Sequence, residues 1–161
     1  MAGDKRTTTF TFLAEPGDVN FGGKVHGGAV MKWIDQVAYA CASAWCRRYC
    51  VTVYVGGIHF LKSIQIGHTV KLEAAIIYTG NSSMHIAVDV WSAPLWEDDM
   101  IKNTHCVIVF VALDQEGNKV NVPKWIPQTA EDKTMEAYAI RLMERRKLIE
   151  DDDVMRDLLN N

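Results

Sequence analysis

Proline is scarce in this chain of 161 residues, with 4, and cysteine is equally scarce. Cys41, Cys46, Cys50 and Cys106 form no C-x-x-C pair, which argues against a zinc site. They read as reduced, mostly buried thiols of a cytoplasmic protein. His26, His59, His68, His85 and His105 are scattered, with no H-E-x-x-H or H-x-E pattern, so no metal enzyme is expected. The longest apolar stretch, Val37 to Cys46, falls short of the about 20 residues that span a bilayer. The N-terminal MAGDKRTTTF has no apolar run after its charges and does not read as a secretory signal. Basic residues are not in excess: 17 stand against 20 acidic, for a net charge of −3. That excludes a dedicated nucleic-acid binder, which needs a basic face, while leaving room for a local patch facing a small phosphorylated ligand. Neither G-x-x-x-x-G-K-[ST] nor G-x-G-x-x-G occurs.

What is present suits one soluble domain: 48% hydrophobic and 23% charged residues. Arg6 to Leu13, rich in Thr and Phe, predicts a first strand. Five glycines then crowd the loop from Pro16 to Gly28. Ala29 to about Arg47 lacks Gly and Pro and predicts a helix with a basic end. It is apolar nearly all round, which predicts a buried helix. Val51, Val53 and Val55 alternate in a strand that continues past Gly56-Gly57 to Leu61. Val70 to Tyr78 and Met84 to Val90 alternate likewise, joined by a Thr79–Ser83 turn. Cys106 to Leu113 is almost continuously apolar, as in a strand covered on both faces. One buried helix and five strands with short turns predict an α+β fold in which an antiparallel sheet curls around the helix. Residues 128–161 differ in kind: 15 charged residues and a Thr129–Asp132 capping signal predict a C-terminal surface helix as an extension of the body at 1–127.

Asp35 is the informative residue. A carboxylate two turns into an apolar helix costs several kcal/mol to bury unless it is partnered. One reading pairs it with Lys32 on the preceding turn. The other places it in an apolar cleft as a base or nucleophile. The loop before the helix favours the second, because glycines admit a ligand close to the backbone. Free N–H groups at the helix start then polarise a carbonyl oxygen.

The spaced set Asn20-x-x-Gly23-x-x-His26-Gly27-Gly28-x-x-Met31-x-x-x-Asp35 resembles the signature of hot-dog-fold acyl-coenzyme A thioesterases, of the YciA-like and cytosolic acyl-CoA hydrolase type. Cys50-Val51-Thr52-Val53, Phe60-Leu61-Lys62 with Ile66-Gly67, and Thr79-Gly80-Asn81-Ser82-Ser83-Met84 extend the resemblance over about residues 7 to 125. It implies a long helix wrapped by a five-stranded sheet, dimers with sites at their interface, and further assembly as a trimer of dimers. It also implies hydrolysis of acyl-CoA with coenzyme A as part of substrate and product, and no required cofactor or metal. On it, Asp35 matches the catalytic carboxylate, Gly28 the helix start whose N–H polarises the thioester carbonyl, and Asn20 the loop that shapes the site. Gly80, Asn81, Ser82 and Ser83 fall where the family contacts coenzyme A, with Lys62 and His59 as further candidates for its phosphates and polar groups. Two departures stand out: Gly56 or Gly57 replaces an acidic residue of many relatives, and His59 replaces a polar one.

The expected chemistry is attack of water, activated by Asp35 from the facing subunit, or direct attack by Asp35 to give a mixed anhydride. Two rivals accompany it. A hot-dog enoyl-CoA hydratase or dehydratase would pair His26 or His59 with a carboxylate, and a non-catalytic acyl-CoA or nucleotide sensor would explain the glycine at the acidic position.

Overall fold

A computed structural model describes residues 1–160 of the chain. Its elements run β1 (Thr7–Leu13), a 3-10 turn at Pro16–Asp18, α1 (Gly27–Cys46), β2 (Tyr49–Phe60), β3 (Thr69–Thr79), β4 (Ser83–Ala93), β5 (Ile101–Leu113), α2 (Ala130–Glu150) and α3 (Asp153–Asn160). Residues Met1–Trp125 form one compact unit, and a second begins at Ile126.

In the first unit, β1-β3-β4-β5-β2 form one antiparallel sheet, and α1 touches every strand. The alternation read from the sequence sets which face each side chain takes. Leu72, Ile76, Ile86, Val88, Ile108 and Phe110 turn inward and are buried against Ile34, Val37, Ala38 and Cys41 of α1. Each fully buried Ile, Leu or Phe contributes about 1.5–3 kcal/mol, so this helix–sheet layer dominates the stability of the unit.

The helix is not buried all round. Met31, Lys32, Asp35, Gln36 and Tyr39 form an exposed stripe at helical spacing. The sheet ends at β2, and among the described residues no further strand covers that flank. As the edge strand, β2 is itself apolar and open: Val53 is 51% exposed, Val55 44% and Phe60 54%. Burial along β5 is near-complete on both faces, as its sequence predicts.

Glycine in β2 has a backbone reason. Gly57 adopts φ +58°, in the left-handed region, and pairing with β5 slips between Gly56 and His59. A Cβ on Gly56 would lie 2.6 Å from the Tyr54 ring. The left-handed backbone at Gly57 and the Tyr54 ring beside Gly56 disfavour a side chain at these positions.

The second unit opens with a complete capping box. The Thr129 hydroxyl accepts from the Asp132 N–H at 3.0 Å, and Asp132 accepts in return from Thr129 N–H at 3.1 Å. The sequence predicts one C-terminal helix; the structure has two. The Asp152 carboxylate caps α3 by accepting from Val154 N–H at 3.0 Å, a local bond that competes with continuation of α2. Among the described residues, no helix is long and apolar enough to cross a membrane.

Candidate active site

The loop ahead of α1 is built around one amide side chain. Asn20 Oδ1 accepts from the N–H groups of Gly22 (2.9 Å) and Lys24 (3.1 Å), while Asn20 N–H donates to Lys24 C=O at 2.7 Å. Gly23 closes the turn at φ +79°. Val25 N–H donates to Ile64 C=O and His26 N–H to Asp18 C=O, which ties the loop to the body on both sides. Asn20 thus shapes the approach to the helix by holding backbone.

At the helix start the expected free donors divide. His26 is the N-cap, and its Nδ1 accepts from Gly28 N–H at 2.8 Å. A carbonyl reaching the Gly28 N–H must therefore displace this imidazole. No partner for the Gly27 N–H is found among the described residues, as expected of a first-turn donor. Gly27 lines an open groove of 340 Å³ with Asn20, Lys24, Val30, Phe60 and Lys62. Lys24 Nζ is held by Gln65 Oε1 at 2.7 Å. The Lys62 side chain is exposed at the rim.

Asp35 lies on the exposed stripe of α1. Its partner is not Lys32, with which no ion pair forms among the described residues, but Thr52 of β2. The Thr52 hydroxyl donates to Asp35 Oδ1 at 2.6 Å. This leaves Oδ2 open to a further donor. Sequence reasoning missed Thr52, although it lies in a segment that carries the resemblance. A threonine in an alternating strand shows no sign of the helix residue it will meet.

The candidate residues do not converge within one chain. Gly28 and Asp35 are seven residues apart on one helix, about 10 Å along its axis. No single carbonyl spans that gap. Thr52, Phe110 and Met84 share one cross-strand row; Phe60, Thr104 and Val90 share another. The two rows are six positions apart on β5, about 20 Å of strand. Lys62 and the Asn20 groove lie at the second row. The Gly80–Ser83 turn lies beyond the first, where Gly80 N–H donates to Ser83 C=O at 2.9 Å and Ser82 C=O accepts from Ala112 N–H at 3.0 Å. Asn81 C=O accepts from Val122 N–H, so this turn is braced at the end of the sheet opposite the groove.

His59 pairs in register with His105, on the sheet face away from α1, whereas Thr52 faces α1 beside Asp35. The structure therefore does not join His59 to Asp35 in one chain. The histidine that does meet a carboxylate is His105, whose Nδ1 lies 2.7 Å from Asp89 Oδ1 with Lys102 Nζ 3.0 Å from the same oxygen. Burial pushes the Asp89 carboxyl up, but the hydrogen bonds from His105 and Lys102 outweigh it and hold the group below the usual range. This cluster ties β4 to β5. Among the described residues, no group of three His, Cys, Asp or Glu is placed to hold a metal ion.

A long helix lying on a five-stranded antiparallel sheet, with a carboxylate on the helix and a glycine loop at its start, is a hot-dog thioesterase arrangement. Residues 22–95 match the thioesterase superfamily, and the chain belongs to that family. Its relatives there include proteins named as acyl-CoA thioester hydrolases. The acyl-CoA thioester hydrolase YkhA of Bacillus subtilis is 33% identical over 132 residues, 82% of this chain and 77% of that one. An acyl-CoA hydrolase from Staphylococcus aureus, solved with butyryl coenzyme A, coenzyme A and coenzyme A disulfide, superimposes with a TM-score of 0.87 at 27% identity, covering 99% of this chain and 98% of that one. A hexameric acyl-CoA thioesterase in its apo form superimposes with a TM-score of 0.85 at 31% identity, covering 91% and 94%. Structures of the S. aureus hydrolase include single alanine variants at an asparagine, at an aspartate 15 positions later, and at a threonine 17 positions after that. The same intervals separate Asn20, Asp35 and Thr52 here.

Proposed function

We propose that this chain hydrolyses acyl-CoA thioesters at a site shared by two copies. One copy supplies Asp35 and Thr52, and the other supplies the Gly27-Gly28 helix start and the Asn20 loop. The observation that carries this reading is the Thr52–Asp35 hydrogen bond on an open flank of α1, about 10 Å along the axis from the glycine start of that same helix. The exposed apolar edge of β2, which runs beside that flank, is the natural seam for a second copy, since an unpaired strand edge with apolar side chains seeks cover. Antiparallel pairing of two such edges brings the start of β2 in one copy toward its end in the other, and with it Asp35 toward the partner's helix start.

In this site the thioester carbonyl oxygen lies against backbone N–H groups at the start of α1. Asp35 Oδ2 takes a proton from water as the water oxygen attacks the carbonyl carbon. The N–H groups stabilise the resulting oxyanion. Collapse of this intermediate breaks the C–S bond, and coenzyme A leaves as a thiolate that the proton on Asp35 can neutralise. Thr52 holds Oδ1, which favours this water-activating role over direct attack by Asp35. We assign the polar and phosphate groups of coenzyme A to Lys62, to His59 and to the Gly80-Asn81-Ser82-Ser83 turn, drawn from both copies because one chain keeps these sets at opposite ends of its sheet. Pairs of copies assembling further, as a trimer of dimers, and a cytoplasmic location in keeping with four free thiols complete the reading.

The test is thiol release from acyl-CoA. Asp35→Asn keeps the shape and removes the base, and lowers the rate by about 10²–10⁴-fold. Release at the wild-type rate would exclude Asp35 from the chemistry. Thioester-bond cleavage also separates this activity from hydration, which releases no thiol.

A further inference from the structure

The end of α1 turns into β2 over two residues, Arg47 and Arg48, with Arg47 in the left-handed region at φ 56°. This turn brings Cys46 and Cys50 together: their Sγ atoms are 3.4 Å apart, and both lie near the Arg48 carbonyl, at 3.8 and 3.5 Å. Neither sulfur is bonded to another. The two side chains are buried, yet the residues between them are exposed and line an open cavity of 540 Å³ with Leu113, Asp114 and Gln115. Two guanidinium groups, Arg47 and Arg48, stand at that cavity, Arg47 also lying 3.7 Å from Asp4. No part of the proposed hydrolysis uses this dithiol.

We propose that Cys46 and Cys50 are a reversible two-electron thiol–disulfide couple, oxidised by small anionic disulfides that enter through the Arg47–Arg48 cavity. The sulfurs need approach only from 3.4 Å to the about 2.05 Å of a disulfide. The two thiols also have separate tasks. The hydrogen bond shared with Cys50 stabilises a Cys46 thiolate and holds that thiol below its usual value. The same bond raises Cys50. Cys46 is therefore the attacking sulfur. Its thiolate attacks one sulfur of the oxidant RSSR, forming a mixed disulfide and expelling one RS⁻, which takes up a proton. Cys50 then loses its proton to solvent and attacks Cys46 Sγ, breaking the mixed disulfide and expelling the second RS⁻. Two protein thiols are oxidised, and one RSSR is reduced to two thiols. Cys41 and Cys106 take no part, because burial pushes each thiol up to about 11.

The experiment treats the full-length protein with oxidised glutathione or coenzyme A disulfide, alkylates it under denaturing conditions, and reads the intact mass and the labelled peptides. The expected result is a chain lighter by two hydrogens, with Cys46 and Cys50 protected, Cys41 and Cys106 labelled, and full labelling restored by dithiothreitol. Cys50→Ser should arrest the sequence with one RS group on Cys46, whereas Cys46→Ser should acquire none. Full labelling of wild-type Cys46 and Cys50 after oxidant, a stable mixed disulfide in the wild type, or a link between two chains would each overturn the proposal. The wild-type readout needs no variant to fold, and it is independent of whether thioesters are cleaved.

Discussion

One oxygen of Asp35 is occupied by the Thr52 hydroxyl, which leaves the other free for the proton-accepting role of the proposed hydrolysis. This makes Thr52 a positioning residue with a specific signature. Thr52→Ala should lower kcat about tenfold, the equivalent of about 1.4 kcal/mol for a hydrogen bond to a charged group, with KM little changed. Thr52→Ser should restore most of it, and steady-state kinetics on one acyl-CoA checks both. A rise in KM alone would assign Thr52 to substrate binding. Asp35 was legible in the sequence because a carboxylate in an apolar helix is costly and needs a reason. Asn20 and Gly28 were legible only through the spaced motif. Thr52 was not, because its partner stands 17 positions away on another element. Nor was the engagement of the Gly28 N–H by His26, since an N-cap histidine two residues earlier looks in sequence like any loop histidine.

At the scale of elements, period carried the reading far. Alternation located β2, β3 and β4, and the absence of Gly and Pro located α1, to within a few residues. Composition alone overstated the burial of α1, because Met31 and Tyr39 on its open stripe are as apolar as the residues beneath. The split between α2 and α3 was hidden in a run of three aspartates, any of which can cap. The union of β4 with β5 carries a pH prediction. Asp89, held below the usual carboxylate range, contributes stability that is complete above the unfolded-state value of about 3.9 and is lost as pH falls through its lower folded value. Denaturant midpoints of the wild type should therefore drop through this acid window, and Asp89→Asn should flatten that part of the profile. An unchanged profile in the variant would remove Asp89 from the acid response.

At the scale of the whole molecule, a net charge of −3 is compatible with a triply phosphorylated substrate, because the phosphates need only a few rim cations and backbone donors. What one chain lacks is convergence. Its helix start and its carboxylate are fixed about 10 Å apart by the α1 geometry itself, and its lysine groove and glycine turn lie at opposite ends of the sheet. The two turns between the helix start and Asp35 were readable from the motif, but the placing of the lysine groove and the glycine turn at opposite ends of the sheet was not, since it depends on strand order and register.

Subunit mixing addresses the shared site most directly. Asp35→Asn removes the carboxylate, and Gly27→Pro removes the unpartnered N–H at the first residue of α1, where proline is tolerated and the preceding His26 is already extended. Each variant alone should be nearly inactive. Co-expressed in equal amounts, random pairing makes half of the dimers mixed, each with one intact site of two, so thiol release should recover to about a quarter of wild type. A mixture as inactive as its parents, with mixed dimers demonstrated by mass, would show that each chain completes its site alone and would contradict the shared geometry.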